Sequence, residues 1–514
     1  MPIKKSLIKL LSGTNNQAKD MAANRKLLSA TQLISNKLNT STTSTKKGSA
    51  TMQLTKDLSQ NYTTILKEEL VAAMGCTEPI AIAYAAAKAY RELGKMPDHI
   101  RITCSGNMIK NVKGVTVPNS GGQKGIETAA VLGVVGGNAD KMLEVIADVD
   151  DAAREKTHEL VAAGICEVAL AENVPNLYIK AEMWTKDHEA AVTIAEHHTD
   201  ITEIEKDGRL VFIAEKSIGV KKENAHKAST TAKVSEENAI TGASTADASE
   251  ENTITGDRTK MTLKGILDYA NTVDLAEVEE ILERQVRFNT AISQEGLDNP
   301  WGARVGKTIL ENWSDDVKSY ACARAASGSD ARMSGCPLPV IINSGSGNQG
   351  ITVTMPVVTY AERWHLSKEK MYRSLLVSNL VSIYIKHYIG ALSAFCGAVS
   401  AACGAGAAIT YMSGGTYEQI GGTITNTLGN VGGIVCDGAK PSCAAKIASS
   451  VHAALLAHYM STSMKEFLGG EGFVESDVEK TIKNMGYIGK IGMKETDREI
   501  LNVMIDKVDV DSCL

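Results

Sequence analysis

Between Tyr388 and Tyr417 the chain runs without a single charged side chain, and the middle of this stretch reads IGALSAFCGAVSAACGAGAAITYM. So long an uncharged segment belongs either in a bilayer or in the interior of a protein. Its residues are mostly Ala, Gly and Ser, which a bilayer favours far less than Leu or Ile, and the chain has no second segment of the kind. The expectation is therefore a buried helix or helix pair whose small side chains let neighbouring elements pack close. At 514 residues, 43% of them hydrophobic, the chain can surround such a helix with a large core and is long enough for two or more domains.

Composition removes several function classes. The formal net charge is −6, and no Lys/Arg cluster carries interleaved aromatics, so neither nucleic acid nor a membrane surface is an expected partner. Aromatic content is only 4% against 44 glycines, which points to tightly packed small-residue helices and is compatible with a homodimer. Lys4, Lys5, Lys9 and Lys19 break up any apolar run at the N-terminus that would act as a secretory signal. The ten cysteines are then expected in a reducing compartment, where metal binding or reactivity outranks disulfides. The cytoplasm is the expected location; an organelle is also open, because residues 1–51 are basic with Asp20 as their only acid.

Four regions are expected. Residues 1–51, rich in Lys, Ser, Thr and Asn, read as a flexible extension. Residues 52–216 mix helical patterns (NYTTILKEELVAAMG, then IAIAYAAAKAYRELG) with strand-like runs (IRITC, GVTV, LYIKAEMW, AAVTIAEHH, RLVFIAE). Residues 217–258 read as a disordered low-complexity insertion without catalytic content, in which SEENAITG returns as SEENTITG after 14 residues. Residues 259–514 are mainly helical. The fold class is thus α/β (α+β) in the N-terminal half, with an α-rich C-terminal half that carries the candidate metal cysteines.

Three features can carry chemistry. Cys396, Cys436 and Cys443 are spaced by 40 and then seven residues, with Gly and Pro around the last two in GGIVCDGAKPSCAAK. Structural zinc prefers closer pairs and a fourth ligand, whereas iron–sulfur ligands need only converge in space, so a cluster and inert packing cysteines both stay open. In GCTEP, Gly75 closes one helix and Pro79 opens the next, which sets Cys76 beside a positive helix N-terminus, a place that favours a thiolate base or nucleophile. The Gly-rich polar loops CSGNMIKNVKGVTVPNSGGQKG and NSGSGNQG suit either anion binding or plain turns, and neither is a P-loop.

Together these pieces resemble the iron–sulfur-dependent L-cysteine desulfidases, relatives of the α chain of bacterial iron–sulfur L-serine dehydratase. The resemblance rests on GCTEPIAIAYAAAKA, CSGNMIKNVKGVTVPNSGG, SGSDARMSG, NSGSGNQGITVTMPV, IYIKHYIGALSAFCGAV and GIVCDGAKPSCAAKIAS, in that order. It implies α,β-elimination of L-cysteine to pyruvate, ammonia and hydrogen sulfide on an oxygen-sensitive [4Fe–4S] cluster without pyridoxal phosphate. It further implies Cys396, Cys436 and Cys443 as cluster ligands and Cys76 as the base. Ser105, Asn107, Asn119, Ser120, Gly121, Ser344, Ser346 and Asn348 would hold the carboxylate and ammonium of the small amino-acid substrate. L-serine is the alternative substrate, since only the leaving group differs. A non-catalytic iron–sulfur protein and a structural zinc protein are the readings from other classes. Cys513, next to last in DVDSCL, is open as a further ligand.

Overall fold

A computed structural model of the chain describes residues 55–214, 255–390 and 392–513, which belong to one compact unit. The extension 1–51, most of the 217–258 insertion and the Cys513 side chain lie outside the described residues.

The first helix, α1 (Lys56–Glu69), starts on Thr55, whose hydroxyl accepts from the Leu58 N–H. It is followed by β1 (Ala72–Met74) and α2 (Thr77–Leu93). Pro79 sits in the first turn of α2, where its missing N–H costs nothing, and Gly94 closes the helix at φ 79°. The strands β2 (His99–Ser105), β3 (Cys166–Ala171), β4 (Tyr178–Trp184), β5 (Glu189–Ala195), β6 (Ile201–Lys206) and β7 (Arg209–Ile213) form one sheet in the order β3-β2-β4-β5-β6-β7. The β2–β3 pair is parallel and the others are antiparallel. Helix α2 covers β4 and β5, and α3 (Gly106–Val112), α4 (Gly125–Gly136) and α5 (Asp151–Ala162) fill the connections. GVTV, expected as a strand, makes only the isolated bridge Thr116–Lys124.

The second half is helical, as expected: α6 (Leu263–Thr272), α7 (Glu279–Asp298), α8 (Val305–Asn312) and α9 (Val317–Met333) precede β8 (Pro339–Ile341). After it come α10 (Gly347–Arg363), α11 (Lys368–Ile389), α12 (Gly397–Met412), α13 (Tyr417–Val431), α14 (Cys443–Thr462), α15 (Val478–Tyr487), α16 (Lys494–Met504) and the short α17 (Val510–Cys513). Strand β8 pairs antiparallel with β1, Ala72 opposite Ile341 and Met74 opposite Pro339, and so ties the two halves together. This pairing corrects the expected helix through VAAMG: the helix stops at Glu69 because the next residues find a strand partner far along the chain.

The charge-free stretch supplies α12, in which every residue from Ala398 to Met412 is buried against α10, α11, α13 and α14. No helix among the described residues is long and apolar enough to cross a membrane. Its glycines set the packing distance: a Cβ on Gly404 would lie 2.3 Å from the Ser378 carbonyl oxygen of α11. Gly404→Ala is therefore expected to destabilise the fold by about 1–3 kcal/mol, read from the denaturant midpoint.

A buried histidine adds an acid sensitivity. His458 of α14 is 3% exposed, and its Nδ1 lies 2.9 Å from the Thr410 hydroxyl of α12. Burial brings its pKa from 6.5 down to about 4. The folded protein keeps the ring neutral while the unfolded chain takes up a proton below pH 6.5. Stability is therefore complete above that pH and falls as pH drops towards 4, by up to about 3 kcal/mol from this group. His458→Gln should flatten that part of the stability–pH curve.

Candidate active site

The β1–β8 pairing brings the GCTEP turn and the NSGSGNQG loop to one place, and the cysteine loops close it from the other side. The result is a cavity of about 300 Å³ lined by Cys76, Glu78, Asn111, His198, Arg332, Ser344, Ser346, Asn348, Gln349, Lys386, Cys396, Cys436 and Cys443, with Glu69 and Arg258 also on its wall. Arg258, near the end of the segment read as an insertion, is held there by ion pairs to Glu68 and Glu69.

Four helices begin at this cavity. Cys76, Ser346 and Cys396 are the N-cap residues of α2, α10 and α12, and Cys443 is the first residue of α14; none of the four starts has a side-chain cap. Elsewhere α1, α6, α9 and α13 are capped by Thr55, Thr262, Asp316 and Thr416, while α4, α7, α8 and α16 also start without a side-chain cap. The first N–H groups of a helix lack internal partners and form its positive end, so four uncapped starts give the cavity an anion-seeking wall.

The three cysteines come from two loops zipped together: Cys396 N–H donates to the Ile434 carbonyl (3.0 Å), Cys436 N–H to the Ala394 carbonyl (2.6 Å), and Phe395 bridges Val435. Gly438, at φ 95°, lets this turn press against α3, since a Cβ there would lie 2.4 Å from the Lys110 carbonyl oxygen. The Cys396 and Cys436 thiols lie within hydrogen-bonding reach of each other. The bond from Cys396, then Lys110, the Gly438 N–H and Lys386, overcome burial and bring Cys436 down to about 6, while that same bond and burial push Cys396 well up. Burial raises Cys443. Lys110 is ion-paired to Asp497 of α16 and reaches the Cys436 carbonyl. Lys386, 7% exposed, has no ion-pair partner among the described residues; burial brings it down to about 8, against the pull of Cys436 and Cys396.

This donor set fits a polynuclear thiolate-bound cluster. No three His, Cys, Asp or Glu among the described residues converge as ligands of a single ion. Three thiols instead face one cavity, beside an unpaired lysine and two uncapped helix starts, an environment that stabilises an anionic body larger than one ion.

In the same cavity, with Cys443 packed beside it, the Cys76 thiol donates to Glu78 Oε2 (3.0 Å), which also accepts from the Thr77 hydroxyl (3.0 Å), while Oε1 accepts from Asn111 Nδ2 (3.3 Å). Burial and the neighbouring Glu78 charge push the Cys76 thiol well above its ordinary range. At rest this sulfur is thus protonated, and the helix N-terminus that favours a thiolate is outweighed. Burial also pushes Glu78 up, but His198, the Cys76 hydrogen bond and Arg332 outweigh it and hold the carboxyl below its usual value. Burial lowers His198.

Buried amides hold the β8–α10 loop. Gln285 and Asn379 exchange hydrogen bonds, Asn379 Oδ1 accepts from Asn343 Nδ2 (3.0 Å), and Asn343 Oδ1 accepts from the Ser344 and Ser382 hydroxyls. All four residues from Asn343's network that carry amides or Ser382 are fully buried, which fixes Ser344 (φ 49°) and Gly345 (φ 74°) in a left-handed turn at the cavity wall.

Of the residues expected to bind substrate, Ser344, Ser346 and Asn348 line the cavity with Cys76 and the three cysteines expected as cluster ligands. The others do not. Ser105 caps α3 and donates to the Asn176 carbonyl, Asn119 donates to the Ile146 and Ala147 carbonyls, Ser120 donates to the Val117 carbonyl, and Gly121 (φ 72°) shapes the same turn. Asn107 also lies off the cavity. Glu78, His198, Arg332, Gln349, Lys386 and Lys110 were not singled out in the sequence, although Glu78 and Arg332 stand inside GCTEP and SGSDARMSG.

Residues 140–502 match the family model of the serine dehydratase alpha chain, a span that includes Arg332, Cys396, Cys436 and Cys443 but begins after Cys76. A UPF0597 protein of Desulfitobacterium hafniense is 45% identical over 448 residues, 87% of this chain and 97% of the relative. One of Lachnoclostridium phytofermentans is 47% identical over 442 residues (86% and 98%), and one of Treponema denticola is 45% identical over 459 (88% and 100%). This chain belongs to the serine dehydratase alpha chain family.

Proposed function

We propose that the protein is a lyase that converts L-cysteine to pyruvate, ammonia and hydrogen sulfide by α,β-elimination. The observation that carries the reading is that Cys396, Cys436 and Cys443 line one cavity with the hydrogen-bonded pair Cys76–Glu78, Cys443 packing beside Cys76. The three cysteines would hold a [4Fe–4S] cluster, which when bound supplies a Lewis acid at an iron free of protein thiolate.

The chain's own groups account for the proton movements. Cys76 Sγ takes the substrate α-proton as its own proton passes to Glu78, which is already its hydrogen-bond acceptor. The electron pair of the Cα–H bond becomes the Cα=Cβ bond, and the Cβ–S bond breaks with its pair leaving on hydrosulfide. The Lys386 ammonium, unpaired beside Cys396 and Cys436, offers a proton at the leaving-group side. The released aminoacrylate tautomerises to the imine, which water hydrolyses to pyruvate and ammonia.

A second reading, L-serine as substrate with water as the leaving group, is favoured by the description of the matched family. The cofactor reading is checked on protein purified and reconstituted under anaerobic conditions. About four irons and four acid-labile sulfides per chain, with a visible absorption that air bleaches, are expected. Zinc without labile sulfide would contradict it.

A further inference from the structure

We infer that Arg332 is the seat of the substrate's α-carboxylate, in a site built for a small α-amino acid with a free carboxyl group. The inference rests on the lyase reading for the identity of the substrate, and on the following geometry for the residue.

Arg332 lies in the last turn of α9, is 2% exposed and lines the cavity. Its Nε finds no hydrogen-bond partner, and no ion pair reaches its guanidinium among the described residues. A buried guanidinium that no carboxylate pairs directly is costly, Glu78 acting on it only through space, and a planar fork of N–H donors matches a carboxylate bidentately. The neighbouring helix is cut to admit it: α10 begins at Gly347, and a Cβ there would lie 2.3 Å from Arg332 Nε. The uncapped start of α10 adds its free N–H groups on the same side.

The complement for an ammonium group stands next to it. Asn348 Oδ1 and Gln349 Oε1 are buried acceptors without partners, and both residues line the cavity. Gln349 is seated by a second glycine at a helix start, since a Cβ on Gly397 would lie 2.6 Å from its side-chain carbon. Arg332, Asn348 and Gln349 thus offer one cavity a donor fork and two acceptors, the complement of an amino acid's carboxylate and ammonium.

The test uses amino acids that cannot eliminate, so that binding is read without turnover. Cluster-loaded wild type, Arg332→Gln, Arg332→Lys and Gly347→Ala are titrated calorimetrically with L-alanine and with L-alaninamide, beside iron content and thermal midpoint. The wild type is expected to bind L-alanine and to bind the amide far more weakly. Arg332→Gln should lose about 100-fold in L-alanine affinity and Arg332→Lys about tenfold, because a point charge replaces the fork. Gly347→Ala should also weaken L-alanine, by displacing the guanidinium. Iron content and thermal midpoint should not fall in Arg332→Gln, since the substitution removes a buried charge that no carboxylate pairs directly. Unchanged L-alanine affinity in Arg332→Gln, equal binding of acid and amide, no L-alanine binding by the wild type, or loss of iron in its place would each overturn the assignment. Arg332-dependent L-alanine binding without products from cysteine or serine would instead leave the assignment standing and remove the lyase reading.

Discussion

Replacing Cys76 with alanine is expected to lower the elimination rate by about a thousandfold while leaving iron content and fold unchanged. A positioned general base contributes roughly 10²–10⁴-fold, and Cys76 lines the same cavity as Cys396, Cys436 and Cys443, the proposed cluster ligands, without being one of them. The raised thiol suits the task, because a sulfur whose conjugate acid is weak binds an α-proton strongly once Glu78 has taken its own. Glu78→Gln should therefore also lose most of the activity, by removing the acceptor. The acid limb of the wild-type rate profile follows from the same pair. Glu78 must be ionised, its carboxyl is held below the ordinary 4.5, and activity dependent on it persists down to that range before falling with further acid. A Cys76→Ala protein that retained most of its rate would remove Cys76 from the chemistry.

The parts of this site that could be read in the sequence were those with a local signature. The charge-free run around α12 announced a buried helix because thirty successive uncharged residues, rich in Ala, Gly and Ser, fit a protein interior better than a bilayer. Cys76 was legible from its place between Gly75 and Pro79. What escaped reading depends on distant partners. VAAM looked like the end of a helix because its strand partner, Pro339–Ile341, lies in the other half. Arg332 was not singled out within SGSDARMSG, since its burial and its close approach to Gly347 depend on a helix that follows it in the chain. The loop holding Asn119, Ser120 and Gly121 has the composition of an anion site, yet its donors are spent on its own turn and on the Ile146 and Ala147 carbonyls. Glycine-rich polar sequence does not distinguish a turn that satisfies itself from one that leaves its donors free.

Cys436→Ala should have the other large effect: iron and labile sulfide fall to near zero, and activity drops by at least about a thousandfold because the Lewis acid is gone. Cys436 is the cluster thiol held lowest, and thiolate is the form that binds iron. Cys403→Ala is the control. That cysteine is fully buried in the same helix that starts at Cys396, but its sulfur faces the Ile424 carbonyl at 3.7 Å and does not line the cavity. It should keep its iron and its rate. If Cys436→Ala retained a full complement of iron, the three-cysteine site would be the wrong one.

The most direct measurement is the release of sulfide and pyruvate, followed together under anaerobic conditions on cluster-loaded protein given L-cysteine or L-serine. Equal amounts of sulfide and pyruvate from L-cysteine, with little pyruvate from L-serine, are the predicted result. Pyruvate from L-serine alone would transfer the same site to dehydration, and neither product from either amino acid would contradict the assignment of this cavity to β-elimination.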